Sequence, residues 1–103
     1  MYYFIYITFP DEDSARKVAR HLLENRLAAC VNFWRINSMY WWEGEIQDDS
    51  EVAMIVKTRA EMYSKVREEV KRLHPYTTPC ICAINVEEGN AEFLRWIDSI
   101  VEG

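Results

Sequence analysis

Glycine is scarce in this sequence, since the 103 residues include only Gly44, Gly89 and Gly103. A nucleotide-binding phosphate loop needs closely spaced glycines, because its backbone amides must approach the phosphate groups. These three are spread too widely to form one. The sequence therefore excludes a phosphate loop and the large class of ATP-dependent enzymes that use it.

Cysteine is also rare, with only Cys30, Cys80 and Cys82 present. An odd number this small does not support a disulfide framework, and two cysteines two residues apart on a strand cannot readily bridge each other. The first seven residues lack the basic flank and small-residue cleavage site of a secretion signal. We therefore expect a reducing, cytoplasmic location.

Long apolar runs and dense clusters of basic residues are absent. No apolar run approaches the roughly 20 residues that a membrane-spanning helix needs. The net charge is -5, with 12 lysines and arginines against 17 acidic residues, so a surface that follows nucleic-acid phosphates is not expected. Half of the residues are hydrophobic. The composition predicts one soluble domain over residues 1–103, with neither a membrane nor a nucleic acid as partner.

Hydrophobic periodicity predicts four strands and three helices in the order βαββαβα. The strands are predicted over residues 2–9, 28–42, 45–58 and 80–86, with helices after the first, third and fourth strands. Thr58 and Glu61 have the spacing of a capping box and predict the start of the second helix. This order is typical of an α+β, ferredoxin-like βαββαβ fold with an extra C-terminal helix, in which the helices cover one side of a four-stranded antiparallel sheet.

The second and third strands are predicted to form a long hairpin that turns at Glu43-Gly44. In that register Trp42 pairs with Glu45 and Trp41 with Ile46. Arms of about 14 residues exceed the usual strand length of about 5 to 6, so the outer half should project beyond the other strands. An acidic run at residues 48–51 predicts a bulge in the second arm.

The outer hairpin carries an unusually large set of apolar side chains, namely Met39, Tyr40, Trp41, Trp42 and Ile46. Soluble monomers rarely expose so large an apolar patch. The strands at residues 2–9 and 52–56 are moreover apolar on both faces, and helices on one side would leave the second face uncovered. Association with further copies of the chain is the expected remedy.

Several segments resemble a known family in order and spacing, the CutA family of divalent-cation tolerance proteins. They are Thr8-Phe9-Pro10-Asp11, Leu27-Ala28-Ala29-Cys30-Val31-Asn32, residues 38–46, Lys57-Thr58, His74-Pro75-Tyr76-Thr77-Thr78-Pro79 and Phe93-Leu94-Arg95-Trp96-Ile97. The resemblance implies a homotrimer, similar in architecture to PII signalling proteins, with a role in tolerance of copper and other divalent metals. It implies an interface that includes Tyr40, Trp41, Trp42, Gly44 and Ile46.

His74 is the first candidate metal ligand. Some members of the CutA family, which the sequence resembles, combine a cysteine late in the first strand with two histidines before the Pro-Tyr pair. The corresponding residues here are Ile7, Leu73 and His74, so only His74 matches. A neutral imidazole is a general ligand for transition metals. The alternative is that His74 caps a helix end and orients the loop that follows.

The three cysteines are the other candidate ligands. Cys80 and Cys82 are two residues apart on a predicted strand and should share a face, where two thiols would suit Cu(I). The alternative is burial in the core as small apolar side chains. Cys30 is a candidate ligand too, and its alternative is burial beside a subunit contact. A catalytic Cys30-His74 pair lacks a recognisable oxyanion hole or a group that orients the base, so no catalytic residue and no enzymatic activity are predicted.

The leading hypothesis is a cytoplasmic homotrimer that binds copper or another divalent metal ion and contributes to metal tolerance. The alternative is a PII-like signalling module that binds a small metabolite or a protein partner in clefts between subunits. An enzyme that uses Cys30 or His74 is the third hypothesis.

Overall fold

The structure is a computed structural model that describes residues 1–101. Its strands are β1 (Tyr2–Phe9), β2 (Cys30–Trp42), β3 (Glu45–Arg59) and β4 (Ile81–Val86), and its helices are α1 (Glu12–Glu24), α2 (Tyr63–Leu73) and α3 (Ala91–Ile100). This confirms the predicted order of elements. Among the described residues, no helix is both long and apolar enough to cross a membrane.

The four strands form one antiparallel sheet in the order β2-β3-β1-β4. β1 and β3 are the central strands, as their apolar residues on both faces predicted. Ile5, Ile7 and Phe9 point from β1 toward α1 and α2 and are completely buried. The core on this face also contains Val18 and Leu22 of α1, Met54 and Val56 of β3, and Val66 and Val70 of α2.

The long hairpin is confirmed in its turn and its register. Glu43 and Gly44 both have positive φ, 50° and 79°, as a two-residue turn matching the twist of the strands requires. The pairing runs from Trp42 opposite Glu45 to Cys30 opposite Lys57 without interruption. The predicted bulge at residues 48–51 is therefore wrong, because Asp48 and Asp49 face solvent while their backbones stay in the ladder.

The outer part of the hairpin projects beyond the sheet, as predicted. β1 ends opposite Val52, while β2 and β3 continue pairing to the turn. The longest dimension of the chain is 44 Å, against 25 and 21 Å in the other directions.

The third helix lies on the second face of the sheet, not on the side of α1 and α2. The Tyr2 hydroxyl donates to Asp98 Oδ2 at 2.7 Å, and Lys57 Nζ lies 5.5 Å from the centre of the Phe93 ring. Tyr2 and Lys57 alternate with the buried core residues of their strands and so face away from α1 and α2. The predicted one-sided arrangement of helices is wrong, because α3 covers one end of the second face.

The predicted capping box is also wrong. The Thr58 hydroxyl donates to the Leu27 carbonyl at 2.6 Å and is fully buried, so it serves a tertiary contact. β3 continues to Arg59, whose guanidinium forms a salt bridge with the Glu61 carboxylate at 2.6 Å. A short 3-10 turn follows before α2 begins at Tyr63. The strand and its tertiary contacts thus prevail over the local capping signal.

The ends of α1 show two contrasting caps. The Asp11 side chain accepts a hydrogen bond from the Ser14 amide at 2.8 Å and so caps the N-terminus of the helix. At the other end, the Arg26 amide donates to the Leu23 carbonyl and the Leu27 amide to the Leu22 carbonyl. This is a Schellman motif. Its left-handed residue is Arg26, with φ 55°, where glycine is usual.

Candidate functional site

A groove of about 600 Å³ lies between the outer hairpin and the loop that joins α2 to β4. Hydroxyl and aromatic groups predominate in its wall. The lining residues are Thr8, Ser38, Met39, Tyr40, Trp42, Glu51, Pro75, Tyr76, Thr77, Thr78 and Cys80. The groove thus brings together the two sequence motifs with the strongest family character, the aromatic hairpin and the His-Pro-Tyr loop.

Tyr76 fixes the loop to the sheet. α2 ends at Leu73 because Pro75 forces His74 into an extended conformation, with φ -76° and ψ 137°. The Tyr76 hydroxyl then donates to Glu51 Oε2 at 2.6 Å. Partial burial and the adjacent Glu51 carboxylate raise the pKa of Tyr76 well above its usual value, so the phenol remains a donor.

His74 is buried with both ring nitrogens engaged. Nε2 donates to the Thr8 carbonyl at 2.7 Å, Nδ1 accepts from the Tyr76 amide at 3.0 Å, and the ring stacks on Phe9 with centroids 4.5 Å apart. Burial lowers the pKa of His74 below its ordinary 6.5, which favours the neutral imidazole. This geometry matches the loop-orienting alternative. To bind a metal ion, His74 would have to release one of its two partners.

Cys80 and Cys82 lie together on the second face, with their Sγ atoms 3.8 Å apart. Both residues are exposed in the isolated chain, so neither is buried in the core of the single chain. The reason is that β4 is an edge strand and α3 covers only the far end of this face. Partial desolvation and the contact with Cys82 raise the pKa of Cys80 to about 11, which keeps it protonated at neutral pH.

Cys30 lies far from the other candidate ligands. It begins β2, at the opposite edge of the sheet from β4, with β3 and β1 between them. Three strand spacings correspond to roughly 14 Å. Cys30 is partly buried, and the Asn32 amide nitrogen is 3.9 Å from its Sγ. Within residues 1–101, no three His, Cys, Asp or Glu side chains come together in a group that could hold a metal ion.

The residues predicted for the subunit interface lie at the outer end of the hairpin. Trp41, Ile46 and Trp42 are 72%, 59% and 51% exposed, and Gly44 forms the turn. Tyr40 is less exposed, and its hydroxyl donates to Asp49 Oδ2 at 2.6 Å. The second face adds exposed apolar side chains, including Trp34 and Ile84. The large apolar surface expected from the sequence is therefore present.

Glu51 is a site residue that the sequence interpretation missed. It belongs to the acidic run for which only a bulge was predicted, but 8% of it is exposed, and its carboxylate accepts a hydrogen bond from Tyr76. The signal was its position directly before the buried segment at residues 52–56. Simple alternation along an unbroken β3 puts Glu51 on the face of the groove.

Residues 3–100 match the family model described as CutA1 divalent ion tolerance protein. The chain belongs to the CutA1 family. Across 102 residues it is 58% identical to the Divalent-cation tolerance protein CutA of Archaeoglobus fulgidus, covering 99% of this chain and 100% of that protein. The family resemblance found in the sequence is thereby confirmed.

Solved CutA structures share the fold closely. One described as the periplasmic divalent cation tolerance protein CutA from Archaeoglobus fulgidus superposes with a TM-score of 0.97 at 58% identity, covering 99% of this chain and 100% of that one. The CutA1 structure from Thermus thermophilus gives 0.95 at 44% identity, with coverage of 99% and 100%. These similarities confirm the predicted ferredoxin-like class for this CutA1 chain.

Proposed function

We propose that this protein is a homotrimer that binds copper or another divalent metal ion and contributes to metal tolerance. The observation that carries the proposal is the 58% identity, over nearly the whole chain, to a divalent-cation tolerance protein. The match covers 99% of this chain, and the solved structure from the same organism has nearly the same fold, with a TM-score of 0.97. Membership of a divalent-cation tolerance family supports an interaction with metal ions.

The exposed apolar surface supports the proposed oligomer. In the single chain, large apolar side chains are exposed to solvent at two places. They are the tryptophans and Ile46 at the end of the hairpin, and Trp34 and Ile84 on the second face. Each Å² of apolar surface removed from water stabilises the association by about 25 cal/mol. Closed symmetric association covers such surfaces on every copy at once.

We propose that the protein works by binding and not by catalysis, in a reducing compartment such as the cytoplasm. Cys30 is opposite Lys57, which pairs with Phe4, whereas His74 bonds to Thr8, four residues further along β1. This separation supports the first point, because the two residues cannot act as a nucleophile and its base within one chain. The closely spaced free thiols of Cys80 and Cys82 support the second, since a reducing compartment keeps such thiols available.

A PII-like signalling role is the second candidate, and the groove is the observation that favours it. Its volume of about 600 Å³ lies within the range of roughly 300–1,000 Å³ that is usual for small-molecule sites. Two phenol–carboxylate pairs, Tyr76 with Glu51 and Tyr40 with Asp49, provide fixed polar groups near apolar walls. A small metabolite with both aromatic and polar groups would suit this lining.

Calorimetric titration of the reduced protein with Cu(I), Cu(II) and Zn(II) tests the metal-binding function. We expect saturable binding of at least one of these ions, in a fixed ratio to the chain. Binding far below one ion per trimer for all three would contradict the proposal. Native mass spectrometry of protein taken directly from cell extract tests the second candidate, since a retained small molecule of defined mass would favour signalling.

A further inference from the structure

The thiols of Cys80 and Cys82 form a pair whose spacing suits a shared metal ion. With metal–sulfur bonds of about 2.3 Å, as found for zinc, two thiolates on one ion lie between about 3.8 Å apart in a tetrahedral site and about 4.6 Å apart in a linear one. The observed 3.8 Å between the Sγ atoms falls at the near end of this range. A linear ion held by two thiolates needs the sulfurs about 0.8 Å farther apart, a change that rotations about the Cα–Cβ bonds can supply.

We propose that Cys80 and Cys82 constitute a two-thiolate site for Cu(I). This inference rests on the proposed metal-binding function and names the ion and the residues that bind it. Cys82 lies in edge strand β4 and Cys80 directly before it, at the margin of the groove that Cys80 lines. In the single chain, an ion can reach the pair from solvent without opening the core.

The small number of ligand side chains determines which metal ion this site can bind. A structural zinc site takes four protein ligands, whereas in residues 1–101 no third His, Cys, Asp or Glu joins the two thiols in a metal-binding group. The nearby Glu51 carboxylate already accepts from Tyr76. Cu(I) prefers soft thiolates and is satisfied by two of them, while hard cations prefer oxygen ligands.

Binding exchanges two S–H bonds for two Cu–S bonds. Each thiol loses its proton to the solvent, so two protons leave for each ion bound, and no electron is transferred because copper arrives as Cu(I). The ion releases the weaker ligands that were bound to it before it reached the protein. Since protons compete with the metal for both sulfurs, affinity should increase with pH.

Competition between the reduced, intact protein and a chromophoric Cu(I) chelator under anaerobic conditions tests the site. We expect the wild type to take one Cu(I) per chain, with an ultraviolet band from thiolate-to-copper charge transfer. Cys80→Ser and Cys82→Ser should each weaken binding more than about 100-fold, since even loss of an outer-shell partner costs about 10- to 100-fold. Cys30→Ser is the matched control and should bind as the wild type does.

Four outcomes separate this site from the broader function. If the double variant Cys80→Ser/Cys82→Ser keeps its fold and oligomeric state but loses the Cu(I) band, the site is supported. If it binds Cu(I) like the wild type, the site is wrong while metal binding stands. If the wild type binds only divalent ions, the site is again wrong and the function stands. If it binds no ion, both proposals fail.

Discussion

The Tyr76 hydroxyl and the Glu51 carboxylate share a hydrogen bond of 2.6 Å that joins the loop after α2 to the middle of β3. Neither residue is near the other in sequence, and Glu51 is almost completely buried. This bond and the His74 contacts together hold one wall of the groove in place.

Replacing Tyr76 with phenylalanine should destabilise the protein by about 1–3 kcal/mol, because a nearly buried carboxylate loses its donor. Urea unfolding at fixed protein concentration measures the change. Tyr2→Phe is the matched control, since it removes an equivalent bond to Asp98 at an exposed position and should change stability little. Equal effects of the two substitutions would show that burial of Glu51 does not determine the cost.

His74 should make stability depend on pH below neutrality. Its folded-state pKa is lowered by burial, so the unfolded chain takes up a proton first as the pH falls below about 6.5. The stabilising contribution is complete above that pH and is lost as the pH falls toward the folded-state pKa. Protonation at Nδ1 would oppose the donating amide of Tyr76.

The comparison that isolates this effect uses His74→Gln, whose side chain still offers an amide donor to Thr8 but does not titrate. Unfolding free energies of both proteins measured between about pH 8 and pH 5 should show a steeper decline for the wild type, because only its residue 74 ionises in this interval. Parallel declines would mean that acidic residues elsewhere account for the pH dependence.

Arg26→Gly should stabilise the protein by about 1 kcal/mol, since Arg26 has the left-handed conformation that costs a non-glycine residue about 1–2 kcal/mol. The substitution gives up only a 3.5 Å hydrogen bond to the Ile100 carbonyl. Arg20→Gly, in the middle of α1, is the control and should destabilise by about 1 kcal/mol. Thermal and urea unfolding should give opposite signs for these two changes.

Trp41→Asp should reduce the oligomeric state, because it puts a charge into the apolar surface at the end of the hairpin. The chain itself should keep its fold, since Trp41 is 72% exposed. Light scattering coupled to size-exclusion chromatography measures the mass. Asn37→Asp adds the same charge to the exposed part of β2 without removing apolar area, and it should leave the oligomer intact. An unchanged trimer for Trp41→Asp would contradict the proposed role of the hairpin.

The features predictable from the sequence were those set by local chemistry. Glu43-Gly44 determined the turn and hence the register of the whole hairpin, and Pro75 determined the end of α2. The predictions failed at positions whose contacts are made with residues distant in the sequence. Thr58 bonds to Leu27 and does not cap a helix, and Glu51 is buried by Tyr76, contacts that no local pattern contains.

The placement of α3 and the exposure of Cys82 had a common cause. Periodicity predicted that a third helix follows β4, but not which face of the sheet it would cover. That choice depends on Tyr2 and Lys57 meeting Asp98 and Phe93 across the fold. Once α3 occupies only one end of the second face, the thiols at the other end are left uncovered.

The unbroken ladder of the hairpin has a consequence for aggregation. Beyond Val52, β3 pairs only with β2 in the part of the chain that the structure describes, so both margins of the ribbon present unpaired backbone groups. Such edges recruit further strands from other molecules. Asp48 and Asp49 lie on this stretch and face solvent, and like charges that meet across two strands are destabilising. The acidic run thus opposes edge-to-edge growth of the ribbon into fibres without interrupting its pairing.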